Sequence, residues 1–155
     1  MKKSLIVIFA ILMVSCNSKK EICKGNLYFK LIDIGSFYGE TEEKIREFER
    51  KIDSFKIDSK TSKDDADIIN KFKTIKRLNL FRIPCIRVQT SDDIKLIFLS
   101  ESEYKKVKSF TLEDLKNRGK KVILELELEE LDKGIYYSEN IIKVQEIDGQ
   151  TPWKK

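Results

Sequence analysis

The stretch Lys121–Asp132, KVILELELEELD, decides the fold class. Its apolar side chains recur at every second position, at Val122, Leu124, Leu126 and Leu128. The positions between them hold Ile123 and then the glutamates Glu125, Glu127 and Glu129. Because successive side chains of a strand point to opposite faces, this period predicts a strand with one face buried and the other solvated.

Further stretches on both sides of it are rich in β-branched and aromatic residues, which is typical of strands. Upstream lies Asn26–Ile34, followed later by the two short runs Cys85–Thr90 and Ile94–Ser100. These two runs flank a polar turn, and we expect them to form a hairpin. Downstream, Ile135–Tyr137 and Ile141–Ile147 predict one broken strand or two short ones.

Two amphipathic helices are predicted between the first strand and the hairpin. Thr41 can cap the first helix, whose apolar residues form one buried stripe at helical spacing: Ile45, Phe48, Ile52 and Phe55. Ser62 can cap the second helix, which carries Ile68, Ile69, Phe72 and Ile75 and should end before Pro84. A third, short helix follows Thr111 and stops at Gly119.

This order of elements predicts an α+β fold with a mainly antiparallel sheet and helices on one face. With the first two helices counted as one layer, the order is ferredoxin-like with an extra strand. A chain of 155 residues suits a single domain, which we place at residues 26–150, followed by a tail at 151–155.

The composition argues against catalysis. The chain has 31 basic and 26 acidic residues, a formal charge of +5, and no histidine. The absence of histidine excludes Ser-His-Asp and Cys-His nucleophiles and histidine-ligated metals. There is no phosphate-binding glycine motif, and the three cysteines lack metal-ligand spacing. We therefore expect a non-enzymatic protein without cofactor, metal or nucleic acid.

The N-terminus reads as a targeting segment. Two lysines precede the apolar run Leu5–Val14, which is followed by Ser15 and Cys16. Ten apolar residues are too few for a spanning helix, which needs about 20, but suit a signal peptide. The residues Leu12–Cys16 resemble the lipobox of bacterial lipoproteins, with Met13 where leucine is usual.

That resemblance implies a signal peptide at residues 1–15, a lipid on Cys16 and a tether at residues 16–25. Several acyl chains together anchor a protein stably to a membrane. Asn17 follows the cysteine instead of the aspartate that retains enterobacterial lipoproteins at the inner membrane, which favours attachment to the outer membrane, facing the periplasm. The lysine- and isoleucine-rich composition suits Bacteroidota. The alternative is an ordinary secretory signal that happens to contain a cysteine.

Two cysteines remain, Cys23 and Cys85. Outside the cytoplasm they could form a disulfide that closes a loop of about 60 residues and stabilises the fold by roughly 4 kcal/mol. Alternatively, Cys85 is simply part of the apolar core.

Charge and aromatic residues supply the candidate binding sites. Between Asn70 and Ser91 lie six basic residues and no acidic one: Lys71, Lys73, Lys76, Arg77, Arg82 and Arg87. Such a helix could contact an anionic lipid, a glycan or an acidic protein, or could be only a solvated face. Phe37 and Tyr38 lie in a glycine-bracketed loop and are either contact residues or core edges.

The glutamates of 125–129 leave a remote route to hydrolysis, because their spacing resembles that of glycosidase carboxyl pairs. Their more ordinary interpretation is the solvated face of a strand. The sequence therefore favours an anchored protein-binding module, either an accessory subunit or an immunity-type inhibitor. Its first rival is a binder of an anionic glycan or lipid headgroup.

Overall fold

The structure is a computed structural model that describes residues 20–28, 36–111, 114–115 and 120–147 of the chain. The strands are β1 Glu21–Tyr28, β2 Cys85–Gln89, β3 Ile94–Leu99, β4 Lys121–Asp132 and β5 Ile135–Ile147. The α-helices are α1 Glu42–Ser54, α2 Lys63–Arg77 and α3 Glu101–Tyr104, and a 3₁₀ turn spans Leu80–Arg82.

The five strands close into a barrel in the order β1-β2-β3-β5-β4. All neighbours are antiparallel except β3 and β5, which run parallel from Leu96 opposite Ile135 to Leu99 opposite Ser138. The spatial order β4-β1-β2-β3 is a Greek key, and β5 fills the gap between β3 and β4. Five-stranded Greek-key barrels of this kind are called OB folds.

Strand β1 closes the barrel because it pairs on both sides. Its residues Glu21–Asn26 face β4, and its last residues, from Asn26 to Tyr28, face β2. Gly25 lies at this changeover, where the two backbones come very close. A Cβ atom at position 25 would lie 2.5 Å from the Gln89 carbonyl oxygen, so the closure depends on a residue without a side chain.

The apolar residues form two clusters, one inside the barrel and one outside it. The barrel interior is filled from every strand and includes Leu124, Leu126 and Leu128, none of which is exposed. The second cluster, which we call the helical layer, packs α1, α2 and the 3₁₀ turn against the outside of β3 and β5. Strand β3 is buried on both faces, because Ile97 and Leu99 point inward while Leu96 and Phe98 meet the helices.

The predicted helix caps are present. The Thr41 hydroxyl accepts a hydrogen bond from the Lys44 amide, and Ser62 accepts one from the Asp65 amide at 3.1 Å. Thr111 and Asp114 also exchange hydrogen bonds, as a capping box requires. Asp114 and Leu115 are helical, and the Leu115 amide donates to the Thr111 carbonyl oxygen. The other residues of the helix predicted after Thr111 lie outside the described residues.

Several details differ from the prediction. The sheet is closed and contains one parallel pair, so the ferredoxin-like order and the arrangement of helices on one face are not confirmed. Strand β1 begins at Glu21, inside the segment expected to be a tether. Within that segment Cys23 is the only buried residue of β1, so the sequence shows no alternation of apolar residues there. Strand β5 is a single strand. Its apparent break at residues 138–140 coincides with a register shift against β4, where Glu129 pairs with Tyr137 but Glu127 with Asn140. A second shift leaves Ile142 as a bulge.

The proposed signal peptide, the lipobox with Cys16 and the tail at 151–155 lie outside the described residues. Every helix that the structure does describe is too short or too polar to cross a membrane.

Candidate functional site

An open groove of about 550 Å³ lies between the segment that follows α1 and the first half of α2. We call it the hairpin groove, after the helix pair α1 and α2 and not the β-hairpin of β2 and β3. It is lined mainly by apolar side chains, with a polar rim, and its residues are Phe48, Phe55, Lys56, Asp58, Lys60, Thr61, Asp65, Ile68, Ile69 and Phe72.

The floor of the hairpin groove is formed by Phe48 and Phe72, which belong to an aromatic cluster that also joins the helices to the barrel. The ring of Phe48 lies 4.5 Å from that of Phe37, 5.5 Å from that of Phe72 and 5.4 Å from that of Phe81, measured between centroids. Phe81 is completely buried above the barrel wall.

The walls of the groove carry large apolar side chains that remain in water. Phe55 is 44% exposed, Ile68 is 53% exposed, and the neighbouring Ile57 is 42% exposed. The sequence pattern placed Phe55 in one buried stripe with Ile45 and Ile52, and that prediction is wrong for Phe55. Ile45 and Ile52 lie over the barrel and are buried. Phe55 is the C-terminal cap residue of α1 and lies beyond the part of the helix that packs on the barrel.

The rim of the groove has two carboxylates that are already engaged. Asp58 accepts hydrogen bonds from the amides of Lys60 and Thr61 and from the Thr61 hydroxyl, and these bonds lower the pKa of Asp58. Asp65 accepts a hydrogen bond of 2.7 Å from the Ser62 hydroxyl in the first turn of α2. Within the described residues, the ammonium groups of Lys56 and Lys60 have no carboxylate partner.

Two lysines tie the helices together beside the groove. Lys73 donates a hydrogen bond of 3.2 Å to the Phe55 carbonyl oxygen, and so satisfies a group at the end of α1. Lys76 donates to the Glu49 carbonyl oxygen and forms an ion pair of 2.5 Å with Asp53. The basic residues of α2 therefore serve partly to position α1.

The other predicted basic residues are also largely engaged within the protein. Arg77 pairs with Asp132 at 2.6 Å, across from α2 to the end of β4. Arg82 donates hydrogen bonds to Glu42 and Glu49 on α1, and these bonds raise the pKa of Arg82. The bond to Glu42 also lowers the pKa of that carboxyl group. Lys71 is half-buried on α2 and Arg87 is half-buried on β2.

The two predicted aromatic contact residues have different positions. Phe37 is half-buried in the aromatic cluster, and its amide donates to the Phe81 carbonyl oxygen at 2.8 Å. Tyr38 is 40% exposed, donates to Glu101 at 2.7 Å and packs edge-on against Tyr104. The structure thus separates these neighbours, and neither lines the hairpin groove.

The glutamates of β4 point outward from the barrel, as the alternation predicts. In the sheet register Glu125 stands between Lys24 on β1 and Lys143 on β5, so opposite charges flank it on both neighbouring strands. Among the described residues, no group of histidine, cysteine, aspartate or glutamate has the geometry of a metal site.

No disulfide joins Cys23 to Cys85. The register pairs Asn26 with Gln89. Cys23 lies three residues beyond Asn26 in one direction and Cys85 four residues beyond Gln89 in the other, which separates them by roughly 20 Å along the ladder. A disulfide requires Cα atoms closer than about 7 Å, so this fold excludes the bridge that the sequence left open.

One buried charged residue was not anticipated. Glu103 on α3 is only 7% exposed and accepts hydrogen bonds from Lys106 at 2.6 Å and from the Ile141 amide at the bulge of β5. Burial acts to raise the pKa of Glu103, but these two hydrogen bonds outweigh it and the pKa is lowered. Glu103 therefore pins α3 to the sheet.

Comparisons of the chain with protein-family models, with curated proteins and with solved structures give no match. The site's own chemistry must therefore indicate the function.

Proposed function

We propose that this protein is a membrane-anchored lipoprotein of the cell envelope that acts as a non-catalytic protein-binding module. The observation that carries the binding role is the hairpin groove, whose walls leave Phe55 and Ile68 about half exposed. Half-exposed apolar side chains gathered around one groove with a polar rim suit a protein-interaction site. The lipobox-like sequence ending at Cys16 supports the anchor and a location at the outer membrane, facing the periplasm.

The position of the groove in the chain also supports a binding role. Helices α1 and α2 lie between β1 and β2. In OB folds, the loop between the first two strands is one of those that contact ligands. This is an analogy of architecture, and the apolar lining points to a protein rather than to a nucleic acid or a sugar.

The rival function, binding of an anionic glycan or lipid headgroup by the basic helix, has weaker support. Lys76, Arg77 and Arg82 already form ion pairs with carboxylates of the same chain. An anionic ligand would compete with these carboxylates for the same cations, which reduces the gain from binding modestly.

The binding role can be tested with a photo-crosslinking amino acid placed at Ile68 in the producing cells. We expect an adduct with one protein after illumination. The matched control places the same amino acid at Asn140, an exposed residue on β5 outside the groove. An identical adduct from both positions, or no adduct from Ile68 in cells that grow in contact with their neighbours, would contradict the proposal.

The anchor is tested separately. We expect Cys16→Ser to release the protein from the membrane fraction while it remains folded, as judged by its circular dichroism spectrum. Retention of the variant in the membrane would show that Cys16 does not attach the protein.

A further inference from the structure

The start of β1 limits how far the domain can lie from a lipid on Cys16. Because β1 begins at Glu21, only the four residues 17–20 separate it from Cys16. An extended chain spans at most about 3.6 Å per residue, so Glu21 stays within roughly 18 Å of Cys16. Acyl chains on Cys16 would place that residue at the lipid headgroups. They would therefore hold the start of β1 close to the membrane surface.

The turn between β2 and β3 lies beside the start of β1. Thr90 and Asp92 of that turn border the same cleft as Glu21. The ammonium nitrogen of Lys95 lies 3.9 Å from a carboxylate oxygen of Glu21. This turn therefore belongs to the end of the barrel at which the chain enters.

The turn between β4 and β5 belongs to the same end and extends beyond the start of β1. In the register Glu21 lies opposite Leu128, and β4 continues to Asp132 before the chain turns into β5. Four further residues of strand cover about 13 Å, which uses most of the roughly 18 Å that the tether allows. The tip of the turn is the exposed residue Lys133, and Arg77 of α2 supports its base through the ion pair with Asp132.

The other end of the barrel lies far outside this range. Strand β5 runs back from the turn for 13 residues, from Ile135 to Ile147. That length corresponds to roughly 40 Å at the usual rise of a strand. A tether of about 18 Å is too short for this end to face the membrane while Glu21 lies on the far side of the domain.

From these lengths we infer that the domain lies against the membrane with the end of the barrel that carries Glu21 and the two turns, and that Lys133 at the tip contacts the lipid headgroups. The inference rests on the proposed lipid anchor at Cys16 and specifies the orientation of the domain. The occupant of this surface is the bilayer that holds the anchor, because the tether leaves only about 5 Å between the tip and the headgroups.

The test uses the lipidated full-length protein, purified from the membranes of the producing cells and reconstituted in nanodiscs of phosphatidylethanolamine and phosphatidylglycerol. A fluorescent amino acid replaces Lys133 or, as the matched control, Gln145 near the other end of β5, and both residues are exposed. Lipids with a nitroxide on the headgroup quench only fluorophores that lie close to them. We expect a loss of fluorescence from the probe at position 133 and no loss from the probe at position 145.

A longer tether separates the effect of the tether from an affinity of the tip itself. Insertion of about 20 glycine and serine residues between Ser18 and Lys19 adds a flexible linker with a mean reach of about 25 Å. This variant should remain in the membrane but show much weaker quenching at position 133. Undiminished quenching would overturn the inference, because the tip would then bind lipid without being held there.

The two proposals fail in different ways. Quenching at position 145 that equals or exceeds that at position 133, or no quenching at either position, would overturn the orientation in a protein that stays in the membrane. The anchor would then still stand. Absence of the unmodified chain from the membrane fraction would refute the anchor and the inference together.

Discussion

The barrel interior and the helical layer are both apolar, but they differ in how completely they are shielded from water. The interior is enclosed by its own wall, because each strand pairs on both sides and the inward residues Leu124, Leu126 and Leu128 have no contact with water. The helical layer is shielded from water only where it packs on β3 and β5. Beyond that area its apolar stripe continues into water at Phe55 and Ile68. We therefore expect stability to depend mainly on the barrel interior, and the proposed binding to depend on the exposed end of the helical layer.

The largest expected effect comes from opening the barrel interior. Leu126→Ala should lower the free energy of unfolding by about 3 kcal/mol, because it removes buried apolar surface and leaves a cavity. The measurement is urea denaturation followed by circular dichroism. As a control, Ile142→Ala changes a residue of β5 that is 46% exposed and should cost less than about 1 kcal/mol. Similar losses for both variants would contradict a closed interior.

A smaller effect is expected where the barrel closes. Gly25→Ala should cost about 2 kcal/mol, since its Cβ would lie 2.6 Å from a methyl group of Val88 as well as against the Gln89 backbone. The neighbouring exposed Lys24 serves as the control, and Lys24→Ala should change the stability by no more than about 0.5 kcal/mol. If Gly25→Ala were equally harmless, β1 would not approach β2 as closely as the structure shows.

The contact between α3 and the sheet should respond to pH. The pKa of Glu103 is lowered from 4.5 in the folded protein, so its contribution is present at neutral pH and is lost as the pH falls below that value. Glu103→Gln should cost about 1 to 2 kcal/mol at pH 7. The difference from the wild type should shrink at acidic pH. A difference independent of pH would mean that the ionised carboxylate has no special role.

The smallest effect on stability is expected in the hairpin groove. Ile68→Ser should change the free energy of unfolding by less than about 0.5 kcal/mol, because Ile68 is 53% exposed. The same variant should lose the partner, which a pull-down with the partner identified by crosslinking would measure. A loss of stability comparable to that of Leu126→Ala would show that the groove is part of the core and would weaken the contrast between the two regions.

The local elements could be predicted from the sequence because their signals are local. Thr41 and Ser62 cap the helices where the pattern places them, and the alternation in β4 gives the buried and solvated faces correctly. Closure of the barrel depends on β3 pairing with β5 and on β1 pairing twice, and periodicity carries no information on which strands meet.

The candidate site could not be predicted from the sequence, for a related reason. An apolar stripe has the same helical period whether or not another element covers it. The pattern therefore placed Phe55 in a buried stripe and could not show that Ile68 is exposed. The charge pattern instead indicated the basic residues of α2 as a candidate binding site. Their partners, such as Asp132 for Arg77, lie far away in the chain and become neighbours only after folding.

The double pairing of β1 also has a mechanical consequence. The N-terminal side of the domain enters the fold at Glu21, the first residue of a strand that is hydrogen-bonded to β4 and then to β2. A pull on the chain from that side acts along the strand, while its ladder hydrogen bonds run across it. The bonds to the neighbouring strands must then yield together instead of one after another. A pull transmitted along β1 therefore loads these hydrogen bonds in shear.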